Sequence, residues 1–294
     1  GLVQLLWFWW YQRFAVTATV QLKVQAWING QPADGIAVAD RGLAYGDGVF
    51  ETIKVRHGQA ALLERHLARL AEGCQRLYIP CDLQILTSEL HAYMQQLGDG
   101  VCKLIVTRGA GQRGYTLPEP CVPQRILQAS AVPSWPASHA QQGIQLFNCQ
   151  LRLSEQPLLA GLKHLNRLEQ VLARAEWHDP AYAEGLLLDA QGRVIDGVFS
   201  NIFIVAQQQL LTPKLDRAGV AGVMRAELLA RAALAGIEVV EGDISLEQLQ
   251  RADEVFTCNS LYGIWPVRAY AAQHWPIGAV TRKLQCLIKD LVDE

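Results

Sequence analysis

Between Glu184 and Thr212 the sequence runs EGLLLD, QGR, VID, FSNIFIVA and LLT, a series of short β-like runs separated by turns. Spacing this tight reads as successive hairpins, which pair antiparallel and leave no room for crossover helices. Strict alternation of strand and helix is therefore not the rule for this chain. The upstream text agrees: AWING (26–30), GIAVAD (35–40) and GVFETIKV (48–55), then the turn pair His57-Gly58 and ALL (61–63), read as a small sheet. KLIVTRG (103–109), RILQASAV (125–132), IQLFNCQ (144–150), IEVVEG (237–242) and EVFTCN (254–259) read as further strands.

Helical periodicity appears in separate blocks. ERHLARLAEGCQRL places Leu67, Leu70, Cys74 and Leu77 on one face, and LTSELHAYMQQL ends at Gly98. A third helix runs from about Gly222 to Gly236, and TRKLQCLIKDLV forms the last. Strands clustered around separate helices predict an α+β fold in two lobes. VPSWP (132–136), with two prolines and no periodicity, reads as the linker between a smaller domain at 24–131 and a larger one at 137–294. Residues 1–23 are apolar and aromatic but lack a basic n-region and meet Gln12 and Arg13 too early to span a bilayer, so they read as an extension outside the fold.

Composition narrows the function. A net charge of -2 without a basic run gives no footprint for nucleic acid, which favours a small-molecule substrate. The 7 cysteines are odd in number and contain no C-x-x-C, and the 7 histidines show no metal-ligand spacing. A reducing cytoplasm and no metal site are the expectations. GAGQRG (109–114) has the glycine spacing of a dinucleotide fingerprint, but prolines at 118 and 120 follow where a helix is required, so nicotinamide binding is rejected.

In GLKHLNRLEQ (161–170) a lysine precedes an apolar repeat, Leu165, Leu168, Leu172 and Ala175, at helical spacing. Lys163 would then stand at the positive end of a helix over HLNRLEQVLARAEWH, where an amine's pKa falls, and the residues alone allow either a solvated lysine near a helix end or a Schiff-base lysine.

Seven blocks make the reading specific: ADRGLAYGDGVFETIKV, ERHLARL, VTRGAGQRGY, LAGLKHLNRLEQVLAR, VIDGVFSNIFIV, GVAGVMR and TCNSLYGIWPV, in that order. Together they resemble the class IV, pyridoxal-phosphate-dependent aminotransferase-like family over nearly everything after residue 24. The combination R-G-x-G-x-R-G-Y, K-H-L-N-R-L-E-Q and C-N is most similar to the branch that eliminates pyruvate from 4-amino-4-deoxychorismate, yielding 4-aminobenzoate. The aminotransferases of D- and branched-chain amino acids are the alternative, and a catalytically silent binding protein is a weaker one.

The resemblance implies a fold type IV homodimer using pyridoxal 5'-phosphate, with Lys163 as Schiff-base lysine. Asp196 stands where the family usually has a glutamate against the pyridine nitrogen, one methylene shorter. Arg69, the helix start at Gly222 and Val223, and Asn259 with Ser260 would hold the phosphate. Strand parity groups Phe50, Thr52 and Lys54 on one face of GVFETIKV, which the resemblance turns toward substrate. Thr52 would assist catalysis, Phe50 would line the pocket, and Arg108 and Arg113 would bind substrate carboxylates.

Overall fold

The computed structural model describes residues 24–292, so the extension reading of 1–23 falls outside the described residues. Two sheets organise them. The smaller contains β1 (Trp27–Ile28), β2 (Gln31–Pro32), β3 (Gly48–Val55), β4 (Gly100–Thr107) and β5 (Gln124–Ser130), in the order β2-β1-β5-β4-β3. Its pairs are antiparallel. The larger contains β6 (Ile144–Leu153), β7 (Tyr182–Asp189), β8 (Arg193–Gly197), β9 (Asn201–Ala206), β10 (Gln209–Pro213), β11 (Val239–Gly242), β12 (Ile244–Ser245), β13 (Glu254–Asn259), β14 (Gly263–Tyr270) and β15 (Gln273–His274). Its main path is β11-β10-β9-β13-β14-β6-β7-β8-β12, with β15 on β14. It is mixed: β10 with β11, β14 with β6, and β6 with β7 are parallel. The architecture is α+β.

β3 shows how composition chooses a face. Val49, Glu51, Ile53 and Val55 are buried while Phe50, Thr52 and Lys54 are half-buried, the parity expected of a strand with one covered side. The covering helices are Leu63–Arg76 and Leu83–Leu97, whose Leu70, Leu90, Tyr93 and Met94 join Val49, Ile53 and Val55 in one core. Asp82 caps the second helix through the N–H groups of Gln84 and Ile85 at 2.9 and 3.0 Å. Deleting fully buried Leu90 to alanine would cost about 2–5 kcal/mol by leaving a cavity. The larger sheet packs Met224, Leu228 and Leu284, from the helices Val223–Leu234 and Ala279–Leu287, against Phe203 and Phe256.

Several sequence expectations change. GIAVAD forms a turn with a single bridge, Asp40 to Ala110, and ALL leads into the helix Leu63–Arg76 instead of making a strand. The eight residues of β14 carried no strand signal because Pro266 interrupts them, yet β14 lies between β13 and β6 with a register shift between Val267 and Ala269. The long lysine helix contracts to Leu168–Arg174, seven residues, and its apolar stripe is not core: Leu168 is 75% and Leu172 61% exposed.

Candidate active site

Lys163 lies in an extended strap, five residues before the helix begins. The strap joins the outer edge of β3: the Phe50 N–H donates to the Lys163 carbonyl at 2.9 Å, and the Leu165 N–H to the Gly48 carbonyl at 3.0 Å. Its other side is tied to residues 219–221, with the Gly161 N–H donating to Gly219 O at 3.0 Å and the Ala221 N–H to Gly161 O at 2.9 Å. The lysine is thus held between the two sheets, with Nζ 4.5 Å from the Phe50 ring centroid. Burial, and then the nearby positive charge of Arg69, push its amine down to about 7. The helix dipole expected from the sequence is not the cause, because the first turn starts too far along the chain. The chemical result is the same: near neutral pH a large share of the amine carries a free lone pair.

Residues 219–221 also fix Asp196 at the end of β8. Its Oδ1 accepts from Asn201 Nδ2 at 2.7 Å and its Oδ2 from the Val220 N–H at 2.9 Å. Burial pushes the carboxyl up to about 7 against those two bonds, so the group is short of a cationic partner. A protonated ring nitrogen would supply one. Below it, fully buried Glu184 braces the turn at 197–200. It accepts from the N–H groups of Gly185 and Val198 at 2.8 and 2.9 Å and from Ser200 Oγ at 2.6 Å.

A phosphate-sized anion has a place at the other end of the strap. Gly222 precedes the helix Val223–Leu234 without a capping side chain, leaving its first N–H groups open. A Cβ at Gly222 would lie 2.0 Å from Asn201 Oδ1, so only glycine fits. Arg69 reaches this end, Nη1 donating to the Ala221 carbonyl at 2.9 Å. Its remaining donors grip Glu51, which also meets His66 Nδ1 at 2.6 Å. Burial alone would raise the Glu51 carboxyl, but Arg69 and His66 outweigh it and hold the group at about 2. Sequence reasoning missed Glu51 and His66. Their signal was a carboxylate on the buried parity of β3 and the histidine three residues before Arg69.

Asn259 is corrected from anion ligand to loop brace. Its Oδ1 accepts from the Leu261 and Tyr262 N–H groups at 2.9 and 3.0 Å, and its Nδ2 donates to the Phe199 carbonyl at 3.3 Å. Ser260, beside it, lies against β3, with Oγ 3.5 Å from the Thr52 carbonyl. Arg108 is likewise internal. It binds both Asp47 oxygens at 2.7 and 2.9 Å and the carbonyls of Tyr78 and Leu77 at 2.8 and 2.6 Å, committing four of its five N–H groups. It braces the loops and does not reach out for a substrate carboxylate. Arg113 is exposed on the 109–116 loop, which Arg41 tethers by a 2.9 Å bond to the Gly114 carbonyl. Phe50 and Thr52 share the open face of β3 with the Lys163 amine above Phe50.

Known proteins share this build. The model of the amino-transferase class IV family matches residues 48–270. The aminodeoxychorismate lyase of Vibrio harveyi is 37% identical over 265 residues, covering 88% of this chain and 97% of the relative. A putative branched-chain-amino-acid aminotransferase of Methanocaldococcus jannaschii is 31% identical over 282 residues, covering 91% and 96%. A crystal structure of 4-amino-4-deoxychorismate lyase from Pseudomonas aeruginosa shares 59% identity and a TM-score of 0.90, covering 92% of this chain and all of that one. On the family match and the identity over most of its length, this chain belongs to the class IV aminotransferase family.

Proposed function

We propose that the protein is a pyridoxal-phosphate-dependent lyase that converts 4-amino-4-deoxychorismate to 4-aminobenzoate and pyruvate. The observation that carries the reading is a buried amine lowered to about 7 and a buried carboxyl raised to about 7, tied to the same 219–221 segment. The residues fit the cofactor: Lys163 for its aldehyde carbon, Asp196 for its ring nitrogen, and Arg69 with the open helix start for its phosphate. When bound, the cofactor supplies an electron sink conjugated to the substrate's amino-bearing carbon.

This chain's residues do the rest. Asp196 would hold the ring nitrogen protonated and Arg69 would hold the phosphate, which would present the substrate carbon to Lys163. The Lys163 amine takes the proton from substrate C4. The Thr52 hydroxyl relays a proton, drawn from the protonated Lys163 amine or from water, to the departing enolpyruvyl group, which leaves as pyruvate, and the six-membered ring becomes aromatic. Phe50 would pack against the substrate ring, and the exposure of Arg113 on the 109–116 loop supports a role in meeting a substrate carboxylate. Every atom of the substrate appears in the two products, so no oxo acid is required.

The exposed face of the helix Leu168–Arg174, with Leu168, Val171 and Leu172 each at least 60% exposed, supports a homodimer burying it. The free cysteines support a reducing, cytoplasmic setting. We divide the chain into domains at 132–136, between the two sheets. Purified protein given aminodeoxychorismate without an oxo acid should release 4-aminobenzoate and pyruvate in equal amounts over many turnovers. Arrest near one turnover would instead identify an aminotransferase, and sedimentation at half the dimer mass would remove the dimer.

A further inference from the structure

The chain reverses direction at the end of the helix Leu63–Arg76, and the reversal sets two thiols against each other. The Ile79 N–H donates to the Cys74 carbonyl at 2.8 Å, and Tyr78 takes up the turn with a left-handed backbone, φ 55°. Asp82 then caps the next helix, Leu83–Leu97, so Cys81 stands one residue before that cap. Cys74 is buried, 2% exposed, in the core of the smaller sheet, and half-buried Cys81 packs on the same core. The two side chains are hydrogen-bonded to each other.

The thiols differ in their surroundings. Cys81 also lines an open cleft of about 530 Å³, together with Asp82, Arg125 and Cys121. The bond from Cys74 lowers the Cys81 thiol, burial opposes it, and the nearby Arg125 guanidinium adds to the lowering. The same bond, and then burial, raise Cys74, so Cys74 keeps its proton and donates it toward the Cys81 sulfur. The thiolate is the nucleophile, and it sits on the cleft side. The protonated partner stands behind it, out of reach of a reagent that has not first met Cys81. Cys121, which lines the same cleft, is committed elsewhere: its Sγ donates to the Arg108 carbonyl at 3.5 Å.

We propose that Cys81 is a modification site for hydroperoxides, with Cys74 closing the reaction as an intramolecular disulfide. The Cys81 thiolate attacks one oxygen of the peroxide: an S–O bond forms, the O–O bond breaks, and the alcohol or water that leaves takes up the proton Cys81 had released. Cys81 is thereby oxidised to a sulfenic acid and the peroxide is reduced. The Cys74 thiol then attacks that sulfur, the S–S bond forms, the S–O bond breaks, and the hydroxyl leaves as water with the Cys74 proton. The bridge spans the turn whose Leu77 and Tyr78 carbonyls hold Arg108, and Arg108 in turn grips Asp47 beside β3. In a reducing setting such a bridge is transient, and a thiol reductant returns it to the two cysteines. The proposal is independent of the lyase reading.

The test treats the full chain, freed of reductant, with hydrogen peroxide and maps its peptides without reduction. Wild type should become lighter by the two thiol hydrogens, join the Cys74 peptide to the Cys81 peptide, and recover with dithiothreitol. Cys81 should be consumed at least about tenfold faster than exposed Cys286, because thiolate character outweighs exposure. Cys74→Ser should stop at a sulfenic acid on Cys81, captured by dimedone, and Cys81→Ser should leave Cys74 unreacted. The wild-type map needs no variant, so it decides the pairing even where a substitution prevents folding. A bridge from Cys81 to Cys121, oxidation that begins at Cys286, or reaction of Cys74 in Cys81→Ser would overturn the assignment.

Discussion

Replacing Lys163 should make the cofactor-free protein more stable. The Lys163 amine falls from 10.5 to about 7 because its charged form is disfavoured by burial and by Arg69. At ~1.4 kcal/mol per pH unit that displacement corresponds to ~5 kcal/mol. The residue is only partly shielded from solvent, so about 2–4 kcal/mol is the working figure. The sign follows from proton binding. The unfolded chain keeps the lysine proton up to about pH 10.5 while the folded chain releases it near 7, so stability rises with pH between those values. At pH 7 the folded protein therefore carries nearly the whole penalty. Lys163→Met keeps the volume and removes the charge. Its melting midpoint at pH 7 should exceed that of wild type by roughly 5–10 °C for a chain of this size. Parallel thermal scans of both cofactor-free proteins at pH 7 and pH 10 measure it, and the gap should largely close at pH 10. A gap of zero at pH 7, or one that does not narrow with pH, would refute burial as the origin of the neutral amine.

Asp196→Asn should lower turnover by about a hundredfold or more, because an amide cannot hold the ring nitrogen protonated, while Arg69→Ala should chiefly weaken cofactor retention; kinetics beside cofactor titration separates them. Thr52→Val preserves shape on β3 and deletes the hydroxyl, so product release assays should show at least a tenfold fall, within the roughly 10²–10⁴-fold range of general-acid help, with the melting midpoint unchanged. Glu254 reaches from β13 to accept from the Thr281 N–H and Oγ at 2.7 and 2.6 Å, capping a helix whose own Gly278 cannot. Glu254→Gln should cost about 1–3 kcal/mol by urea titration with little change in turnover per folded molecule.

The groups of the candidate site that the structure brings together, Lys163, Asp196, Arg69 and the helix start at Gly222, stood out in the sequence because their residue types are rare in combination. What the sequence could not convey was commitment elsewhere in the fold. Arg108 looked available on a loop, but Asp47 and two carbonyls more than 25 residues away take it. Asn259 looked like a ligand donor, yet its amide closes its own turn. Periodicity misled in a different way. The repeat from Leu165 to Ala175 is apolar at helical spacing, and spacing alone cannot say whether such a stripe meets its own core or faces outward. β14 was hidden by Pro266, since a proline in a central position is ordinarily evidence against a strand.

The pairing of the lysine strap with β3 limits how this molecule can open. A jaw-like swing of the smaller sheet away from the larger would first have to tear the Phe50–Lys163 and Leu165–Gly48 main-chain bonds and carry the nucleophile out of register with Asp196. Entry and exit therefore fall to the rim, where the 109–116 loop beyond Gly111 is held by the Arg41 side chain on the Gly114 carbonyl, a contact that can part and re-form. In native-state hydrogen exchange, the amides of Phe50 and Leu165 should be released only with global unfolding, while those of the rim loop exchange orders of magnitude faster. The Lys163 amine is riveted to the frame.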